Sequence, residues 1–245
     1  MSATTPVQIP AAPLVPAARS ALRGLYSDAP WCFRPDPAAL AALFFDAPVV
    51  ELPAHAVHHF TRENFVHLVD SGVVITVAEL PGADRMTGVF APGSILGGPK
   101  ALLHPARGID LAARTLSTVR LRRLGADVFI DFLNAHPAVK SDYLLTLAHN
   151  HEAQMDGLLV NGTEPVPVRL ALLFESLADL EAANAARGVA CTVEPTVEEL
   201  ALMVHATRAV VNRVLCAWER EGRIAREHRR IRLLPGFRRS VPAGD

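Results

Sequence analysis

Apolar positions along the chain change period twice, and those changes divide it. Residues 48 to 130 carry short β-branched stretches, VVELPAHAVHHF, NFVHLVDSGVVITVAEL, DRMTGVFAPG and ARTLSTVRLRRL, cut by Pro, Gly and Asp. Short strands at that spacing predict an antiparallel sandwich or barrel. Asp70-Ser71-Gly72 between FVHLV and VVITV reads as a hairpin turn, and in HAVHH the alternation would place His55 and His59 on one strand face. From Asp127 the period becomes helical. VFIDFLNAH runs to a break at Pro137, and a long helix follows from Ala138 to about Val160, ended by Asn161-Gly162. Upstream, Pro37 opens a short helix through AALAALFF; downstream, VPVRLALLFESLADLEAANAA predicts another.

In the long helix Val139, Tyr143, Leu144, Leu147, Met155, Leu158 and Leu159 recur at helical spacing. Such a stripe packs on a second copy of itself, giving a homodimer, or on its own β domain. Both stay open at this level. Residues 1 to 30, with Pro6, Pro10, Pro13, Pro16 and Pro30, lack a pattern that buries apolar surface and read as a flexible arm.

The C-terminal segment is the most informative. In TVEELALMVHATRAVVNRVL, Thr196 is an N-cap with Glu198 and Glu199 in the first helical turn, and Leu200, Ala201 and Val204 face inward. Thr207 caps a second helix whose inward side is Val211, Val214, Leu215 and Trp218. The opposite side presents Arg208, Ala209, Asn212 and Arg213. Arg and Asn are the side chains whose paired hydrogen-bonding atoms match guanine and adenine edges in the major groove. Gly222 stops the helix, and RIAR and RRIRLL form a β-wing carrying Arg229 and Arg230 toward phosphate.

Charge supports this placement only locally. The net charge of −1 is neutral to the question, but residues 207 to 245 hold ten Arg against four acidic residues. The 245 residues suffice for two cores, and half are apolar. Three scattered cysteines, Cys32, Cys191 and Cys216, form no C-x-x-C pair, which argues against thiolate-held zinc or iron–sulfur and suits a reducing cytoplasm. No stretch of 18 apolar residues and no signal-like N-terminus is seen, so a cytoplasmic location without membrane contact is expected. Nucleophile-elbow, zincin, P-loop and dinucleotide motifs are missing from the sequence, so an enzyme is not expected.

The stretch T-x-E-E-L-A-x-x-V-x-A-T-R-x-x-V-x-R-x-L, then E-R-E-G-R-I and R-I-R-L, resembles the CRP/FNR family of bacterial transcription regulators. A weaker likeness runs through L-V-D-S-G-V-V and F-A-P-G-S-I-L-G. The resemblance spans about Phe44 to Leu234. It implies an α+β chain: a flexible arm (1–30), an N-terminal β-roll or jelly-roll sensor domain of the cyclic-nucleotide-binding type (31–135), a dimerisation helix (136–161) and a C-terminal winged helix-turn-helix (162–245). It further implies a homodimer on double-stranded DNA reading a pseudo-palindrome, with RNA polymerase as a further partner. Arg208 and Arg213 fall on the family's DNA-reading arginines and Thr207 on its phosphate-holding hydroxyl cap. Ala209 stands where the family carries an acidic residue that reads cytosine, and His205 where it prefers Gly in the turn.

In the sensor part, the family's nucleotide cassette pairs Gly-Glu with Arg-Ser or Arg-Thr. This chain has Gly97-Gly98, without the carboxylate, and Arg107-Gly108. Gly97, Gly98 and Arg107 are the candidate effector pocket, and a classical cyclic nucleotide is disfavoured as its occupant. Haem or metal at His55 and His59, an unidentified effector, none at all, and a sensor acting only through protein partners are the other readings.

Overall fold

The computed structural model describes residues 29–59, 64–80, 84–99, 111–189, 193–227, 230–235 and 237. The arm expected over 1–30 lies outside the described residues except for Ala29 and the buried Pro30. Helix α1 (Ala38–Leu43) precedes eight strands: β1 (Val49–Leu52), β2 (Val57–His58), β3 (Phe65–Ser71), β4 (Val74–Ala78), β5 (Arg85–Phe90), β6 (Ile95–Leu96), β7 (Leu111–Thr115) and β8 (Val119–Gly125). They form two four-stranded antiparallel sheets, ordered β1-β8-β3-β6 and β2-β7-β4-β5. Helices α2 (Ala126–Ala135), α3 (Pro137–Thr163) and α4 (Val166–Ala186) follow. A helix pair, α5 (Val197–Met203) and α6 (Arg208–Arg220), and a two-stranded wing, β9 (Ile224–Glu227) and β10 (Arg230–Leu233), complete the chain. The expected α+β architecture is present.

The turn at Asp70-Ser71-Gly72 is not a hairpin, because β3 and β4 belong to different sheets. Gly72 takes φ +83°, and a Cβ there would lie 2.3 Å from the Thr118 carbonyl oxygen. Only glycine lets the chain cross between the layers so tightly. The crossing explains why β4 is buried at all five positions. Alternation sends Val74 into the cluster between the sheets with Val69, Val119 and Leu121. Ile75 and Val77 go to a second cluster, shared with Leu200, Met203 and Leu215 of the C-terminal helices. The β2-β7-β4-β5 sheet and the C-terminal helices thus share one core.

Helix α3 begins at Pro137, where a missing N–H costs nothing. It does not end at Asn161-Gly162 but continues to Thr163. Gly162 stays helical, and the Asn161 amide donates to the Met203 carbonyl at 3.0 Å, tying α3 to the end of α5. The stripe along α3 divides between two faces. Tyr143 is fully buried against Phe129 of α2, and Val139 and Leu147 pack beside it. Leu144, Leu145, Met155, Leu158 and Leu159 stand 40 to 59% exposed.

Residues 29–37 lace the β-roll to α3. The Trp31 N–H donates to the Ala153 carbonyl at 2.9 Å, and the Trp31 carbonyl accepts from the Val89 N–H at 2.8 Å. Trp31 adopts φ +65°, unusual for a bulky side chain. Two glycines make room. A Cβ on Gly157 would lie 2.2 Å from the Trp31 ring, and one on Gly88 2.4 Å from Phe33.

Trp31 fills this gap at 1% exposure. Trp31→Ala is therefore expected to lower unfolding free energy by about 3–5 kcal/mol in denaturant titration, the range for deleting a large buried aromatic. Phe45→Ala, at a position 77% exposed, should stay within about 0.5 kcal/mol of the parent.

Candidate nucleic-acid interface

Thr196 starts α5 with a full capping box: its hydroxyl accepts from the Glu199 N–H at 3.2 Å, while a Glu199 carboxylate oxygen accepts from the Thr196 N–H at 2.7 Å. The other Glu199 oxygen meets His55 Nδ1 at 2.9 Å. Helices α5 and α6 are bent 108° apart. Between them His205 takes φ +50°, the left-handed conformation expected of the family's turn glycine. Ala201 is buried at the crossing, and its carbonyl accepts from the Ala206 N–H at 2.9 Å. The carbonyls ending α5 are satisfied from other helices, by Asn161 at Met203 and by Arg169 at Val204, 3.1 Å away.

The Thr207 hydroxyl caps α6, accepting from the Val210 N–H at 3.3 Å. Val211, Leu215 and Trp218 are buried; Val214 is half-buried. Trp218, Phe174 and Phe237 pack their rings together beneath the helix. Arg208, Ala209, Asn212 and Arg213 are all exposed, and the Arg208 guanidinium pairs loosely with Glu198 at 3.6 Å. The side of α6 that the sequence assigns to base edges is therefore open. In the wing, Arg230 pairs with Glu227, Ile231 with Arg226 and Leu233 with Ile224. Arg230 is exposed; Arg229 lies outside the described residues.

One participant escaped the sequence reading. Arg226 of β9 reaches Asn212 Oδ1 at 3.3 Å, joining the wing to the exposed side of α6. Sequence separation hides this contact, and only the β period of RIARE places Arg226 on one side of the wing.

The histidines do not converge. β2 covers only Val57 and His58, and His55 sits in a turn at φ +63°, so the strand geometry that would align His55 with His59 is not formed. His55 bonds Glu199, and His59 lies 3.6 Å from Glu79. Among the described residues no group of three or more His, Cys, Asp or Glu is disposed to hold a metal ion. His67 is buried and held near pKa 4 by desolvation, with His58 and Arg123 nearby.

In the β domain, Gly97 lines a cavity of about 340 Å³ shared by both sheets, residues 33–36 and α3. Gly98 has no room for a side chain, because a Cβ there would lie 1.9 Å from the Tyr143 hydroxyl. Tyr143 thus fills the space where the family's carboxylate would start. Arg107 lies outside the described residues. Asp36, on the cavity wall, is pushed up from 3.8 to about 7 by desolvation, against the opposing hydrogen bond from the Ile95 N–H at 2.6 Å.

Residues 168–235 match the family model described as a Crp-like helix-turn-helix domain. The chain carries a Crp-like helix-turn-helix domain on the fold of CRP/FNR regulators. Solved structures of this architecture superpose along most of the chain. FixK2 from Bradyrhizobium japonicum gives a TM-score of 0.62 at 16% identity, over 81% of this chain and 98% of that one. The c-di-GMP-responsive global regulator CLP of Xanthomonas campestris gives 0.62 at 16%, over 81% and 99%. A CRP/FNR-family transcriptional regulator from Thermus thermophilus gives 0.58 at 20%, over 76% and 93%. A search of curated proteins found no match. Among the described residues no single helix is long and apolar enough to cross a membrane.

The raised Asp36 carboxyl carries a pH signature. Its folded pKa lies above the unfolded value, so its share of stability is full below about pH 4 and is lost as pH climbs through about 7. Asp36→Asn can still accept the Ile95 N–H. The unfolding free energy of the variant minus that of the parent should rise by about 1.4 kcal/mol per pH unit between roughly pH 4 and 7. His67 and His205, both held near 4, work in the opposite direction but cancel in this difference. A flat difference across that window would show Asp36 to be unperturbed.

Proposed function

We propose that the chain is a homodimeric transcription regulator that reads a pseudo-palindromic operator with Arg208, Asn212 and Arg213. Thr207, Arg229 and Arg230 hold phosphates, and Ala209 lies against a thymine methyl. The observation that carries this reading is the open face of α6. It is preceded by a capped, sharply bent helix pair and flanked by an exposed wing arginine. Asn212 needs only to exchange its Arg226 contact for an adenine edge.

The dimer is supported by α3. Leu144, Ala148, His151, Met155, Leu158 and Gly162 repeat at alternating steps of four and three residues, and all are exposed. This is the spacing of a coiled-coil seam. Among the described residues its leucines face solvent, and two copies would bury them together. A single winged helix covers too little DNA for tight specific binding, whereas a dimer offers two reading heads. We assign residues 31–135 to sensing, 136–161 to dimerisation and 162–245 to DNA. RNA polymerase is a further partner in this reading, and the site of action is the cytoplasm.

Leu158→Glu should convert the dimer to monomer in light scattering while circular dichroism stays unchanged. A variant that remains dimeric would place the interface elsewhere. With an operator selected from random duplexes, Arg213→Ala should weaken specific binding by about 10- to 100-fold and relax the preference at one position per half-site. Arg230→Ala should weaken all sequences alike, making the log–log salt dependence shallower by about 0.9 for each phosphate no longer neutralised. Unchanged sequence preference in Arg213→Ala would remove α6 from its assigned role.

A further inference from the structure

The cavity beside Gly97 carries the Asp36 carboxyl on its wall. None of its described lining residues is Lys or Arg. Asp36 enters it with one carboxyl oxygen committed to the Ile95 N–H. The other is buried with no hydrogen-bond partner among the described residues, as is the nearby Tyr143 hydroxyl. A buried acceptor left without a donor costs free energy, and more when charged, so this oxygen favours an incoming N–H. The remaining wall mixes apolar and aromatic side chains with the amides of Asn150 and Gln154, and Asn150 Oδ1 is taken by the Arg34 N–H at 2.9 Å. Phe33 and Phe90 meet edge to face with centroids 4.6 Å apart, and Leu111 and Leu147 close the sides. Thr76 and Thr87 hydroxyls satisfy each other at 2.7 Å. The other titratable group on the wall is His151, at its exposed rim.

Among the described residues no guanidinium or ammonium stands on the wall to balance an anion against the Asp36 carboxyl. A cationic amine on an aromatic ring satisfies both ends of the cavity, with the ammonium on Asp36 and the ring against Phe33 and Phe90. The volume lies at the lower end of the range for small-molecule sites and suits a ligand the size of a bicyclic arylalkylamine.

We propose that this cavity is a binding site for a small arylalkylamine, with Asp36 as the residue that selects the ammonium. The inference deepens the regulator reading by naming an effector class, and rests on that reading only for the consequence at DNA, not for binding itself. The ligand would sit among residues 33–36, both sheets and the same stretch of α3 that carries the dimer seam. Occupancy would therefore bear on the seam through Leu147 and His151.

The test is calorimetric titration of the full chain with four probes: tryptamine, its neutral isostere 3-ethylindole, its anionic counterpart indole-3-propionate, and cyclic AMP. Tryptamine should bind once per chain and at least tenfold more tightly than either isostere, and cyclic AMP should not displace it. Asp36→Asn, checked by thermal unfolding to be folded, should lose at least tenfold in tryptamine affinity while 3-ethylindole binding stays unchanged. Any of four results overturns the proposal: no tryptamine heat at millimolar concentration, indole-3-propionate binding as tightly as the amine, displacement by cyclic AMP, or an unchanged affinity in Asp36→Asn. Operator binding by the ligand-free protein is measured separately. Failure at DNA would therefore count against the regulator reading alone, and failure in the calorimeter against the amine alone.

Discussion

Helix α3 must satisfy two surfaces along the same twenty-seven residues, and the rest of the molecule is arranged around that demand. One side is claimed by the chain's own β-roll, through Tyr143, Leu147, Asn150 and Ala153. The other is left with leucines and a methionine in water. A helix of this length, with apolar residues on both sides, would be insoluble alone unless each side found a cover. The internal cover depends on small residues. Gly157 admits Trp31, and Gly98 admits the Tyr143 hydroxyl. These gaps bring the backbone of residues 29–37 onto α3 and fix how closely the sheets approach it.

The C-terminal helix pair is fastened to this frame by polar contacts at α5. Glu199 is nearly fully buried, yet its two carboxylate oxygens are both engaged, by the Thr196 cap and by His55 from the β-roll. A buried carboxylate with a complete set of donors is tolerable; one deprived of a partner is not. Beyond this junction, α6 keeps its inward side on Phe174 and Phe237, and among the described residues its outward side meets only Glu198, through Arg208, and the wing, through Asn212. The pattern is that of a rigid mount with a free working surface.

Much of this was legible from local signals. The capping box at Thr196, the Thr207 cap, the stop at Gly222 and the paired wing strands each follow from side chains within a few residues of one another. The left-handed turn at His205 follows from the resemblance. What escaped the sequence involves contacts far apart along the chain. The turn at Gly72 looks like a hairpin from its own residues, and only the packing of Val119 and Thr118 shows that the chain changes layer there. Asn161-Gly162 reads as a helix end because both residues favour one. Asn161 instead finds Met203, 42 positions away, and the helix ends one residue past Gly162, at Thr163. Asp36 gave no sequence signal, since an Asp between two prolines reads as a solvated loop until its burial is seen.

The Asn161 bond also sets how movement is shared. Its backbone belongs to the helix proposed to join two subunits, and its amide grips the carbonyl at the base of the bent pair that presents α6. A rolling of α3 about its long axis would therefore pull on the end of α5 and, through the bend, on the pitch of α6. The two halves of a dimer could then change the span between their heads without either module being remodelled inside.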